Sequence, residues 1–233
     1  MISVISGLSL TGNPKVVPLT DTAPLLQSQQ VYQVAAAKVV TASFWNKNKI
    51  TFNSHEVSQQ LLKQFPELAN VTVTLPLLAH RPVIYIEPAQ PALILSTTSG
   101  SYVLDTTGTV LLVNTASGLV ASLSLPVVTD QSGLSIKLGH QVLTSGDVSF
   151  IQTVLGQLKA KQLVASSIVL PAVSRELDVY IAGQSYFVKF NLITDNPRQQ
   201  AGTFLAALSK LQSQSVKPST YIDVRVDGRA YYQ

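Results

Sequence analysis

Apolar residues recur along this chain at two spacings, every second position and every third to fourth, and the changes between them outline the fold. Ile2 to Leu10 is strand-like and stops at a turn formed by Gly12, Asn13 and Pro14. Between Ser28 and Ser43, Val31, Val34, Ala35, Ala36 and Val39 fall close to a helical stripe. A second helix is better marked. Asn53 and Glu56 stand three apart in a capping-box pattern, Val57, Leu61 and Phe65 recur every four residues, and Pro66 ends the run. Val71 to Leu75 then alternates as a half-buried strand, and Val83 to Ile86 answers it. Two antiparallel strands with helices on one face make a small α+β unit.

Glu87, Pro88 and Pro91 mark a stiff junction, which predicts one domain over residues 1–88 and a second over 89–233. The second part is β-rich. Ala92 to Ser96, Tyr102 to Leu104 and Val110 to Val113 are short strands, the last two joined by a turn over Asp105 to Gly108. Leu119 to Gly139, interrupted by Pro126 and Gly133, fits neither spacing. Val148, Ile151, Leu155 and Leu158 share a helical face after Asp147. Asp195, Asn196 and Pro197 cap a later helix that carries Ala201, Phe204, Leu205, Leu208 and Leu211. Between these helices lie three β-like runs, Ser167 to Leu170, Glu176 to Ile181 and Tyr186 to Leu192, and the turn Ala182 to Ser185 makes the last two a hairpin. The fold class is therefore α+β: a β-α-α-β-β domain, then a larger mixed β domain with an antiparallel sheet and two helices.

The closing segment, Tyr221 to Gln233, reads as one strand with nothing behind it to cover its edge. Such an edge is either guarded by its charges, here Asp223, Arg225, Asp227 and Arg229, or completed by a partner's strand.

At 46% hydrophobic and 12% charged, 233 residues can bury a substantial core. The net charge of +4 is spread thinly. Its densest spot, Lys47 and Lys49, is an ordinary solvated loop, so nucleic acid is not an expected partner, although a basic excess favours an anionic membrane surface. The absence of cysteine excludes disulfides, Cys-ligated zinc and thiol catalysis. No run reaches the ~18 consecutive apolar residues of a membrane span, and the first residues lack the basic and apolar regions of a signal peptide.

A search for chemistry yields no expected catalytic, cofactor-binding or metal site. His55, His80 and His140 are isolated, and His55 and Glu56, being adjacent at a helix start, point to different faces. The glycine-rich phosphate loops and the Gly-x-Ser-x-Gly elbow are missing. Asp223 and Asp227 on one strand face would stand ~13 Å apart at ~3.3 Å per residue, too far for a glycosidase pair. Asp105 is accounted for by its turn. An enzymatic reading would need a pocket joining Asp105, Glu176 or His140. Phe44 and Trp45, following a helix, are expected in the core rather than in an exposed recognition patch.

Several motifs, in this order, resemble FtsQ/DivIB-type cell-division proteins. They are Leu8-Ser-Leu-Thr-Gly-Asn13, Phe65-Pro-Glu-Leu-Ala-Asn-Val71, Arg81-Pro-Val-Ile-Tyr-Ile-Glu87, Ser101-Tyr-Val-Leu-Asp-Thr-Thr-Gly-Thr-Val110 and the closing Tyr-Ile-Asp-Val-Arg-Val from Tyr221. The resemblance implies a POTRA domain followed by a β domain. It also implies a single-pass anchor ahead of Met1 that holds this part outside the cytoplasmic membrane at the division septum. The basic residue that the family usually carries after the glutamate is replaced at Glu87 by Pro88. The implied role is a non-enzymatic divisome scaffold that binds bitopic coiled-coil partners of the FtsB/DivIC and FtsL type and helps control septal peptidoglycan synthesis. Carried onto this sequence, Tyr221, Ile222, Val224, Arg225, Val226, Ala230, Tyr231 and Tyr232 would receive the partner, with Arg225 pairing a partner carboxylate. Val71 to Leu75 and the helix from Asn53 would form a membrane-proximal recruitment surface. The alternative expectation is a POTRA-bearing component of a protein transport or outer-membrane assembly system.

Overall fold

A computed structural model describes residues 8–19, 21, 23–113, 124–172, 175–194 and 196–233. It is a mixed α+β structure, and the chain divides into two compact units at the Pro91–Ala92 bond.

The N-terminal unit runs β1 (Lys15–Pro18), α1 (Gln29–Ala42), a 3-10 turn (Phe44–Lys47), α2 (Ser54–Gln64), β2 (Leu68–Thr74) and β3 (Val83–Pro88). Its sheet has the order β1-β3-β2, with β1 parallel and β2 antiparallel to β3. Residues 1–7 lie outside the described set, and Ser9 forms an isolated bridge with Asn48. The first described strand, β1, comes after the Gly12–Pro14 turn rather than before it. Two valines between prolines are too short a run to display alternation. The helices lie where their spacing places them, but α1 buries Tyr32, Ala35, Ala36 and Val40 and leaves Val31 and Val34 exposed. In α2 the Asn53 side chain accepts from the Glu56 N–H at 3.0 Å, and Val57 and Leu61 face the core. Two glutamines of α1 cover the outer edge of β1: the Val16 N–H donates to Gln33 Oε1 at 3.1 Å, and Gln29 Nε2 donates to the Val16 carbonyl at 3.0 Å.

Phe44 and Trp45 do not enter the core; they are 75% and 66% exposed. The 3-10 turn directs Asn46 inward instead. Its amide donates to the Val40 carbonyl at 3.3 Å and accepts from the Asn53 N–H at 3.3 Å, so a polar residue locks the turn and the aromatic pair is left outside.

The C-terminal unit comprises β4 (Pro91–Thr97), β5 (Gly100–Asp105), β6 (Val110–Val113), β7 (Val127–Asp130), α3 (Ser145–Ala160), β8 (Ala165–Leu170), β9 (Glu176–Ile181), β10 (Phe187–Asn191), α4 (Pro197–Ser213), β11 (Tyr221–Asp223) and β12 (Tyr231–Tyr232). They form one nine-stranded sheet in the order β12-β11-β10-β9-β8-β7-β4-β5-β6. The sheet is mixed rather than antiparallel: β4 with β7, β7 with β8 and β10 with β11 are parallel pairs. Parallel neighbours need a long crossover, and α3 between β7 and β8 and α4 between β10 and β11 each supply one. Strand β7 falls inside the stretch that fitted neither spacing. The α4 cap is Asn196, and Asp195 lies outside the described residues.

Helices α3 and α4 pack together on one face of this sheet. Val148, Ile151, Val154 and Leu158 from α3 and Phe204 and Leu211 from α4 meet Leu177, Val179, Val188, Phe190 and Ile222 from the strands. Thr144 and Asp147 start α3 with a reciprocal capping box. Because side chains alternate along a strand, the opposite face carries Glu176, Asp178 and Tyr180 of β9, Phe187 and Lys189 of β10, and Tyr221 and Asp223 of β11.

Candidate functional site

The site is the end of the nine-stranded sheet formed by β9 to β12. Counting back from the Ala182–Ser185 turn sets Tyr180 opposite Phe187 and Asp178 opposite Lys189. Strand β11 then joins β10 in parallel, with Tyr221 beside Phe187 and Asp223 beside Lys189. Two rows result on the face opposite α3 and α4. In the aromatic row, Tyr180 stacks on Phe187 with ring centroids 4.9 Å apart, and Tyr221 follows at 6.4 Å. Beside it runs a charged row, and Lys189 Nζ sits 5.3 Å and 5.5 Å from the Phe187 and Tyr221 rings.

The charged row is a network. Lys189 Nζ pairs with Glu176 Oε1 at 3.0 Å. Arg225 reaches Glu176 through Nη1, and it holds Asp223 through Nη2 at 2.6 Å and Nε at 2.9 Å. Arg225 is therefore engaged within its own chain. The network contains three carboxylates, Glu176, Asp178 and Asp223, against two cations. Asp178 takes the strain: burial, and then the neighbouring Glu176 charge, push its carboxyl up to about 7. For Asp223 burial works against the charge, but the hydrogen bonds and charge of Arg225 outweigh it and hold the carboxyl below the usual range. The same Asp223 hydrogen bonds hold the Arg225 guanidinium more firmly protonated.

The expectation that Tyr221 to Val226 offers a vacant flank is overturned. Strand β11 is paired on both sides, to β10 and to β12. Ile222 and Val224 are 0% exposed, members of the core that a partner cannot touch. The chain reverses through Asp227 and Gly228, whose φ of +68° suits a glycine, and returns antiparallel as β12. An Asp-Gly pair between apolar runs is a hairpin signal, and reading Tyr221 to Gln233 as one strand overlooks it. The sheet therefore ends at β12. The Gln233 N–H donates to the Tyr221 carbonyl at 3.2 Å, and its carbonyl accepts from the Ser219 and Thr220 N–H groups at 2.8 Å each. With Gln233 bonded inward, alternation turns the Tyr232 N–H and C=O outward, away from β11. Of the residues expected to receive a partner, Val226, Tyr231 and Tyr232 stand about half exposed at this edge. Tyr221 and Arg225 are partly covered, and Ala230 packs on the core.

The residues proposed for an enzymatic reading do not converge. Asp105 Oδ1 accepts from the Thr107 and Thr109 N–H groups at 2.9 Å and 2.8 Å, which is a turn role. Glu176 is held in the network above, and the His140 backbone belongs to a turn, its N–H donating to the Lys137 carbonyl at 3.1 Å. Among the described residues no three His, Asp or Glu side chains could hold a metal ion, and no helix is long and apolar enough to cross a membrane. Of this network, Glu176, Asp223 and Arg225 are named from sequence but neither Asp178 nor Lys189 is, although the hairpin register alone places Asp178 against Lys189.

Compared with protein-family models and with curated proteins, the sequence finds no match.

Proposed function

We propose that the protein is a non-enzymatic scaffold of the bacterial divisome. On this reading the N-terminal unit is a POTRA domain, and the β domain docks an extended segment of an FtsB/DivIC- or FtsL-type coiled-coil partner along β12. The motif order described above supports the family assignment. The β-α-α-β-β order of the N-terminal unit agrees with it. The observation that carries the docking mechanism is the outward flank of β12, which terminates a nine-stranded sheet. An extended peptide adds to such an edge through main-chain hydrogen bonds, and flanking side chains select it. Here the edge strand has two residues, so its ladder is short and Tyr231, Tyr232 and Val226 must supply much of the contact area. Arg225, already paired with Glu176 and Asp223, gives way to Arg229, an exposed cation that engages Tyr231 of the same edge, as the group to meet a partner carboxylate at the rim, where it acts on association rate and salt dependence.

The test is a proline at the outward-facing position. Tyr232→Pro removes the outward N–H while sparing the inward bonds of Gln233. It is expected to weaken binding of the extracytoplasmic segment of the same organism's FtsB/DivIC-type protein by about tenfold or more in calorimetric titration. Val224→Pro is the wrong probe, because the Val224 N–H donates to the Lys189 carbonyl at 3.1 Å inside the sheet. Unchanged affinity of a folded Tyr232→Pro variant would refute strand addition at β12.

A further inference from the structure

One end of the N-terminal unit carries large apolar side chains that the fold itself does not use. Residues 8–11 run between two connections and tie them together. The Lys49 N–H donates to the Leu8 carbonyl and the Leu10 N–H to the Lys47 carbonyl, each at 2.8 Å, and the Thr11 N–H donates to the His80 carbonyl at 2.6 Å. Lys49 Nζ also donates to the Leu77 carbonyl at 2.7 Å, bringing the 75–82 loop against the 43–52 connection. Phe44, Trp45, Ile50, Leu77 and Leu78 all stand out from this end, with Leu77 and Leu78 92% and 94% exposed. Lys47, Lys49 and Arg81 are interleaved with them, and neither 43–52 nor 75–82 contains an acidic residue. Glu56, at the start of α2, lines a hollow together with Trp45.

We propose that this end of the unit docks on an anionic lipid bilayer, with Trp45, Leu77 and Leu78 entering the boundary between headgroups and acyl chains. The charge pattern selects the occupant. Protein interfaces are depleted of lysine at their centres, whereas lysine and arginine beside exposed apolar groups suit anionic headgroups. Tryptophan favours the headgroup boundary, and lysine stems lie along it with the ammonium in the headgroups. Lys47 Nζ already lies 5.1 Å from the Phe44 ring, an apolar and a cationic group presented together. This surface is separate from β12 and does not depend on the scaffold reading.

Trp45 is the single tryptophan of the chain, so its emission reports the event directly. The full chain is titrated with vesicles of phosphatidylcholine alone and of phosphatidylcholine with about one third phosphatidylglycerol. A blue shift and protection from acrylamide are expected with the anionic vesicles only, and both are reduced at about 0.5 M salt. Leu77→Ser combined with Leu78→Ser, at positions too exposed to alter the fold, weakens partitioning by about tenfold or more. Lys47→Gln and Arg81→Gln each weaken it by about fivefold. Tyr232→Pro leaves it unchanged, which separates this result from the docking test. No blue shift, an equal response to both vesicle types, or a shift retained by the leucine variant overturns the proposal. A shift on concentrating the protein without lipid makes a second copy of the chain the occupant and overturns it as well.

Discussion

Replacing Asp178 by asparagine tests the electrostatic account of the β9–β11 network. Asp178 is 7% exposed, its Oδ1 has no hydrogen-bond partner, and it shares its surroundings with Glu176. Its carboxyl titrates near 7 in the fold, against about 3.9 in an unfolded chain. Below the unfolded value both states hold the proton and the group is neutral in effect. As pH rises from about 4 towards 7 the unfolded chain releases that proton while the folded one retains it, so stability falls across this window and stays reduced above it. The difference between the two pKa values amounts to on the order of 4 kcal/mol at pH 8, an upper bound on the gain of a neutral variant, which also forgoes the attraction of Lys189 and Arg225. Asp178→Asn is a neutral isostere of the protonated carboxyl and lacks this dependence. At about pH 4 or below the variant should match the native chain, because Asp178 is then neutral in the fold and largely neutral in the unfolded chain. At pH 8 it should be more stable by 1 to 3 kcal/mol, a rise of about 1 M in the urea midpoint of the C-terminal unit. Urea titrations at several pH values from 4 to 8 measure it. If the native and Asp178→Asn profiles run parallel across that range, Asp178 is not the group that keeps its proton, and the assignment of strain within the network is wrong.

Other substitutions test the packing. Gly108→Ala should cost about 3 kcal/mol or more in thermal unfolding, since Gly108 has φ +81° and a Cβ there would lie 2.1 Å from the Leu143 carbonyl oxygen; a near-native melting temperature contradicts this. Asn53→Ala should cost about 1 kcal/mol and speed hydrogen exchange in the first turn of α2, because the Glu56 N–H loses its cap. Ile222→Ala should destabilise by about 2–5 kcal/mol, whereas Tyr231→Ala should change stability by no more than about 0.5 kcal/mol while weakening the proposed partner. The reverse ranking would place the edge of the sheet at β11.

Much of the element order is legible from local spacing. A capping pattern at Asn53, a first-turn proline at Pro197 and four-residue apolar steps are decided within a few residues, and so are the hairpin turns at Asp105–Gly108 and Ala182–Ser185. Helices and hairpins make their hydrogen bonds between sequence neighbours, so their signals are local. Strand β1, a valine pair between prolines, is too short to carry such a signal, and β7 lacks one because its neighbours, β4 and β8, are remote in sequence.

By itself, the sequence determined an α+β chain with helices at these positions, a break near Pro91 and a β-rich second part, because each follows from side-chain period, capping and turn chemistry along a few residues. Tertiary structure alone decided which strand closes the sheet, that Arg225 is held by Glu176 49 residues away, and that Asn46 rather than Trp45 turns inward. Each of these outcomes is a competition among distant groups for the same hydrogen bonds or the same buried space, and only the folded chain brings the competitors together.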